Sequence, residues 1–213
     1  MKIKVLAVGQ LSTNCYLVYD AGEGVIIDPA DEADFIAETV QKLGFKPKAI
    51  ISTHGHFDHN LAAGELQMIF NIPFLIHKSD EFLFDKNNDS ASYWLKRKIN
   101  HIEPQKIEFL KQGDIIEFGK SRLKVLETPG HTPGSICLIS DNKQTSGEPV
   151  ESILFSGDLI FKNAVGRSDF SYSDEKELKK SLEKILKLPE NTIVYPGHGE
   201  KTTIREEKLI IKL

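Results

Sequence analysis

Two cysteines in 213 residues, Cys15 and Cys137, are too few for a disulfide framework and too far apart for a paired metal motif. Both fall in apolar, strand-like stretches and read as reduced core thiols. No apolar run approaches the roughly 18 residues needed to span a bilayer. Met1-Lys2-Ile3-Lys4-Val5-Leu6 enters a strand pattern at once, without the apolar core of a leader peptide. A cytoplasmic protein with no membrane partner is therefore expected. Excess positive charge is also missing. The 27 Lys and Arg against 31 Asp and Glu leave a net charge of −4 and a pI near 6.0, without the broad basic field that a nucleic-acid partner requires. There are no repeats or low-complexity segments, and Gly22-Glu23-Gly24 is a turn, too little to cradle a nucleotide. The remaining sequence, 40 % hydrophobic, suffices for one compact domain over residues 1–213. Nothing in it indicates the oligomeric state.

Histidine is where the chain is specific. Five of its seven histidines fall in one ordered pattern: Thr53-His54-Gly55-His56-Phe57-Asp58-His59, then His131, then His198, with Asp158 between the last two. Ile50-Ile51-Ser52, preceded by Pro47, reads as the end of a buried strand. Gly55 lets the backbone turn between two imidazoles, and Asp58 to Phe70 has helix formers with an apolar repeat at Leu61, Leu66 and Ile69. At such a strand-to-helix turn, His54 and His56 can face one point while Asp58 and His59 face a neighbouring one. Three imidazoles and a carboxylate within six residues have no packing rationale, because burying them without ligands would forfeit several hydrogen bonds. Imidazole with carboxylate suits Zn, Fe or Mn. His77 and His101 stand alone and read as surface or satisfied core residues.

The distant members have matching contexts. Strand-like Val125-Leu126-Glu127 leads into Thr128-Pro129-Gly130-His131-Thr132-Pro133-Gly134, Ile153 to Ser156 leads into Gly157-Asp158, and Ile193-Val194-Tyr195 leads into Pro196-Gly197-His198-Gly199. Each strand delivers a ligand at its carboxyl end, where open α/β sheets place their sites. Alone, Asp158 would read as a turn residue; within this series it reads as a ligand. Helices are expected over Asp31 to Leu43, stopped by Gly44, and over Ser173 to Leu188, with an apolar stripe at Leu178, Leu182, Ile185 and Leu186. Further strands are expected at Pro73 to Ile76, Lys106 to Leu110, Ile115 to Phe118, Leu123 to Leu126 and Ser135 to Ile139. Ser79 to Pro104, polar and aromatic, is either a helical cover over the site edge or a solvated connector. Asp141 to Pro149 reads as a polar hairpin loop without chemistry.

The order His-x-His-x-Asp-His, His, Asp, His, with Thr-Pro-Gly-His and Pro-Gly-His-Gly as local contexts, resembles the metallo-β-lactamase superfamily over nearly the whole chain, from Asn14-Cys15-Tyr16-Leu17-Val18 to His198. That resemblance implies an α/β (α+β) fold, a four-layer αββα sandwich of two mixed sheets flanked by helices. It implies two divalent metal ions, zinc first and Fe or Mn as alternatives. His54, His56 and His131 would hold the first ion, Asp58, His59 and His198 the second, and Asp158 would bridge them. Asp58 and Asp158 would also be the catalytic carboxylates, acting on a water that two cations share and acidify. Asp28, in Ile26-Ile27-Asp28-Pro29, matches a family acid that supports the ligands from behind, and reads equally well as a turn or helix cap.

Within the superfamily, Ser156-Gly157-Asp158-Leu159-Ile160-Phe161 and Val165-Gly166-Arg167-Ser168-Asp169-Phe170 look like elements of glyoxalase II and its short relatives. This implies a small-molecule thioester substrate of the S-acylglutathione type, with Arg167 as a substrate-binding residue. A thiolate leaves readily and has a soft affinity for zinc. Full-length glyoxalase II enzymes carry a C-terminal helical domain that contacts glutathione, whereas 15 residues follow His198 here; thioester chemistry is thus better indicated than a glutathione carrier. The alternatives are a persulfide dioxygenase, which binds one iron through the equivalents of His54, His131 and Asp158, and a hydrolase of another ester or lactone. Other branches match less well. Dinuclear metallo-β-lactamases usually have Cys at the Asp158 position, the family's nucleases bring long inserts and basic surfaces, and diiron flavoproteins usually have Glu at the His56 position.

Overall fold

The computed structural model describes residues 1–140 and 152–212, so the loop expected over Asp141 to Pro149 lies outside the described residues. The first sheet is formed by β1 (Lys2–Val8), β2 (Thr13–Asp20), β3 (Glu23–Ile27), β4 (Lys46–Ile51), β5 (Phe74–His77) and β6 (Ile107–Leu110), in that spatial order. β1 to β3 are antiparallel, and β3 to β6 run parallel. The second sheet contains β7 (Ile115–Phe118), β8 (Ser121–Glu127), β9 (Ile136–Ser140), β10 (Ile153–Gly157), β13 (Ile193–Pro196) and β14 (Thr202–Thr203), with β10 and β13 its parallel pair. A small hairpin, β11 (Ile160–Phe161) and β12 (Ala164–Val165), stands apart.

Strand periodicity accounts for the layering. In β2, Cys15 and Leu17 pack outward against helices, while Tyr16 and Val18 face the other sheet; Ile26 and Ile27 divide in the same way in β3. Both faces of these strands are covered, so they read as continuous apolar runs. α1 (Ala33–Leu43) and α2 (Ala63–Phe70) cover the first sheet through Ile36, Val40 and Leu66. α5 (Glu175–Ile185) and α6 (Ile204–Ile210) cover the second through Leu178, Leu182, Ile185 and Ile204. Between these, α3 (Glu81–Phe84) and α4 (Asn87–Leu95) lie in the segment expected to be a cover or a connector. Both cysteines are buried and free. No helix among the described residues is long and apolar enough to cross a membrane.

Three expectations need correction. The helix expected from Asp58 is a single 3₁₀ turn, Phe57–His59, and α2 starts only at Ala63. The intervening amides of Leu61 and Ala62 donate to Ala30 and Pro29, which ties the segment to the loop before α1 and breaks the helical ladder. α5 begins at Glu175 because the Asp174 carboxylate caps the amides of Lys176 and Glu177. Glu23 and Gly24 belong to β3, leaving Ala21 and Gly22 as the turn.

Candidate metal centre

Four connections place the expected residues together at one end of the paired sheets. His54 and His56 follow β4, Asp58 and His59 occupy the 3₁₀ turn, and His131, Asp158 and His198 follow β8, β10 and β13. They form three overlapping sets with ligand-like spacing: His54, His56 and His131; His54, His59 and Asp158; Asp58, His59 and His198. The first set is the tightest, with His56 Nδ1 lying 3.0 Å from His54 Nε2 and 3.1 Å from His131 Nε2. In the last set, His198 Nε2 is 3.3 Å and His59 Nε2 3.7 Å from Asp58 Oδ2. Asp158 stands between them, with Oδ1 3.4 Å from His59 Nε2 and Oδ2 3.8 Å from both His131 and His198 Nε2.

Each imidazole uses one nitrogen outward and one inward. His131 Nδ1 donates to the Arg167 carbonyl at 2.8 Å, and His198 Nδ1 to the Leu11 carbonyl at 3.2 Å. His59 Nδ1 donates to Asp28 Oδ2 at 3.0 Å. Thr53 Oγ1 gives its own proton to Asp28, so at 3.1 Å it accepts from His54 Nδ1. His56 reverses the pattern: its Nδ1 faces the cluster, and its Nε2 lies 2.8 Å from the Tyr172 hydroxyl. Carbonyls and carboxylates only accept, so they fix the proton on the outward nitrogen and leave lone pairs aimed inward. Lone pairs 3 Å apart repel unless a cation lies among them. Ligands about 2.0–2.1 Å from one metal have this separation. His59 Nε2 and Asp158 Oδ1 are moreover buried without a hydrogen-bond partner among the described residues. The donor set therefore fits divalent cations.

The local electrostatics agree. Burial, with neighbouring imidazoles, holds His54 well below the usual imidazole range and His56 at about 4, so both are neutral and able to coordinate near pH 7. Burial also disfavours a charged His59, but Asp158, Asp28 and Asp58 overcome it and hold the imidazole above its ordinary range. Burial raises Asp58 and Asp158, yet the His59 charge outweighs it and keeps both carboxyls below their ordinary range. Carboxylates that retain a proton on His59 would retain a metal ion in its place.

Supporting contacts reach across the fold. Asp28 accepts the Thr53 amide at 2.7 Å as well as the Thr53 hydroxyl and His59, so it braces two ligand positions rather than capping a helix. Asn14 donates to the Pro196 and Gly199 carbonyls and Tyr16 to the Pro196 carbonyl, fastening the His198 loop to β2. Asp80, absent from the expected set, is fully buried and accepts from the Gly55 amide, the Gly134 amide and the Thr132 hydroxyl, which joins the two loops carrying His54, His56 and His131. Asp80 also explains Gly55: a β-carbon there would meet the Asp80 carbonyl at 2.7 Å, so the need is for space and not for a left-handed turn. Asp80 lies within the short polar run Lys78 to Glu81 and Tyr172 sits in a polar loop, and neither carries a local motif. His77 and His101 lie outside the cluster, against Glu127 and Asn88. Arg167 pairs with Asp169 through Nε and Nη2 at 2.8 and 2.9 Å, its guanidinium 4.5 Å above the Phe170 ring.

Two mixed sheets between helices, with an edge-on cluster of five imidazoles and two carboxylates, define a metallo-hydrolase. The chain belongs to the metallo-β-lactamase superfamily, whose family model matches residues 8–198. The hydroxyacylglutathione hydrolase GloC of Haemophilus influenzae is 32 % identical over 211 residues, covering 98 % of this chain and 95 % of GloC. The crystal structure of TTHA1623 in a di-iron-bound form superposes with a TM-score of 0.83 at 33 % identity, covering 97 % of this chain and 98 % of that one. ETHE1 from Myxococcus xanthus gives a TM-score of 0.75 at 27 % identity over 99 % of this chain and 83 % of its own.

Proposed function

We propose that this chain hydrolyses thioesters at a dinuclear centre. His54, His56 and His131 hold one cation, Asp58, His59 and His198 the other, and Asp158 lies between them. The supporting observation is the set of five imidazoles, each fixed from outside and aimed inward. Zinc is the cation assigned, with iron, present in a relative's crystal structure, and manganese as the other ions this donor set suits. Bound there, two cations supply Lewis acidity and bring the pKa of a shared water from 15.7 towards about 7.

The chain's own groups do the rest. Asp58 and Asp158 line the cleft, where one carboxylate takes one proton from the attacking water. Water's oxygen joins the carbonyl carbon, the C–S bond breaks, the departing thiolate takes up the proton held by the carboxylate, and the acid formed releases water's second proton to solvent, giving carboxylate and thiol. Asp28 and Asp80 keep the ligand loops in place. The cleft, about 600 Å³, has the size of a small-molecule site.

Thiol release from S-lactoylglutathione, measured anaerobically beside oxygen uptake with glutathione persulfide, tests the reaction class. Release without oxygen is expected. Rapid oxygen uptake with no thiol release would establish the dioxygenase instead.

Arg167 is assigned to substrate binding. Asp169 occupies its Nε and Nη2, leaving Nη1 to donate to a substrate oxygen. A hydrogen bond to a charged group contributes about 1.5–3 kcal/mol, so Arg167→Ala should raise KM roughly tenfold with metal content unchanged. If Arg167 only anchors its loop, Asp169→Ala will reproduce the defect and the double variant will be no worse than either single one. Unchanged kinetics in Arg167→Ala would remove Arg167 from both roles.

A further inference from the structure

The wall beside His56 differs in character from the polar cluster. Phe170 stands 5.3 Å from His56 and stacks on Tyr172 at 5.4 Å and 14°, and Tyr172 meets Phe82 edge to face at 5.9 Å. These rings form a ladder running outward from the ligand cluster along one side of the cleft. Trp94 and Leu11 complete the apolar lining. Phe82, Trp94 and Leu11 are all exposed, although none is a residue that a folded chain gains by leaving in water. With Val165, four large exposed apolar side chains line the one cleft, the pattern of a site that a ligand covers.

Charge on the same wall is sparse. Arg167 is compensated by the bidentate Asp169. Lys86 is then the one Lys or Arg without an ion-pair partner among the described residues lining the cleft, and Arg167 keeps only Nη1 for a substrate oxygen. A glutathione thioester carries two carboxylates, each needing a cation or well-placed donors when it leaves water. An aromatic or branched apolar arm needs only the ladder.

We infer that the cleft selects thioesters bearing an aromatic or bulky apolar arm, with at most one anionic group, over thioesters of glutathione. The inference rests on the thioester assignment above for its reacting group and on the aromatic wall for its selectivity. The arm continues the ladder beside Phe82 and Trp94, and Lys86 meets the single anion where one is present.

Trp94 is the sole tryptophan of the chain and lines the cleft, so its fluorescence reports occupancy without turnover. The metal-loaded protein is titrated with two thioethers that cannot be hydrolysed, N-acetyl-S-benzylcysteamine and S-methylglutathione. The benzyl compound is expected to bind at least about tenfold more tightly, and Phe82→Ala to shrink that ratio severalfold. S-methylglutathione binding equally well or better overturns the inference. Thiol release is then recorded from S-phenylacetyl-N-acetylcysteamine and from S-lactoylglutathione. Release from neither, with the benzyl thioether still preferred, refutes the thioester assignment while upholding the selectivity of the wall. Higher kcat/KM for S-lactoylglutathione refutes the selectivity while upholding the thioester assignment.

Discussion

Asp158→Ala is expected to strip both metal positions and abolish turnover. Asp158 lies within 4 Å of inward nitrogens from both ends of the cluster, at 3.4 Å from His59 and 3.8 Å from His131 and His198. Loss of a residue that merely supports a ligand costs about 10–100-fold in metal affinity or activity. Loss of the shared carboxylate should exceed that, with kcat/KM falling by roughly 10³-fold or more. His59→Ala makes the contrast, because it removes a contact of the Asp58 and His198 end and should chiefly weaken that position. Metal content by elemental analysis, beside kinetics on the same samples, checks both variants. Asp158→Ala protein that retained both metals would exclude the bridging role.

Gly197→Ala should be nearly as damaging, although glycine has no side chain to contribute. A β-carbon there would sit 2.2 Å from Asp158 Oδ1 and 2.7 Å from His59 Cε1. The backbone has little freedom to retreat, since the Gly197 amide donates to Gly157 and its carbonyl accepts from Asn14. The added methyl therefore displaces the carboxylate, and loss of metal and of activity should follow with the fold retained by circular dichroism. Gly199→Ala is the control. Its β-carbon meets nothing within 4 Å, and a positive φ of 76° is the only cost, about 1–2 kcal/mol of stability. Full metal content in Gly197→Ala would show that the loop yields.

The candidate metal centre was legible as a cluster because its chemistry is local. His54, His56, Asp58 and His59 lie within one connection, and each distant partner follows a strand-like segment whose apolar residues mark the edge where it ends up. Layering was implied by the family resemblance, and the doubly covered strands agree with it: β3 carries apolar residues on both faces. What escaped depends on contacts distant in sequence. Nothing near Asp80 announces that its carboxylate will receive Gly55 and Gly134, and nothing near Tyr172 announces His56. The helical repeat after Asp58 was present but yielded to hydrogen bonds from Leu61 and Ala62 to the loop before α1, which no periodicity encodes. One omission was avoidable. Thr203-Ile204-Arg205-Glu206 is a capping box and heads α6, which buries Ile204 under the second sheet.

Metal count per active chain bears most directly on the dinuclear assignment. Protein purified without added metal should be analysed for zinc, iron and manganese, with anaerobic thiol release recorded from the same preparation and again after chelation and stepwise zinc return. Two divalent ions per chain at full activity, with hydrolysis independent of oxygen and recovery complete only at the second equivalent, is the expected result. A single iron per chain at full activity, with oxygen consumed and no thiol released, would contradict it.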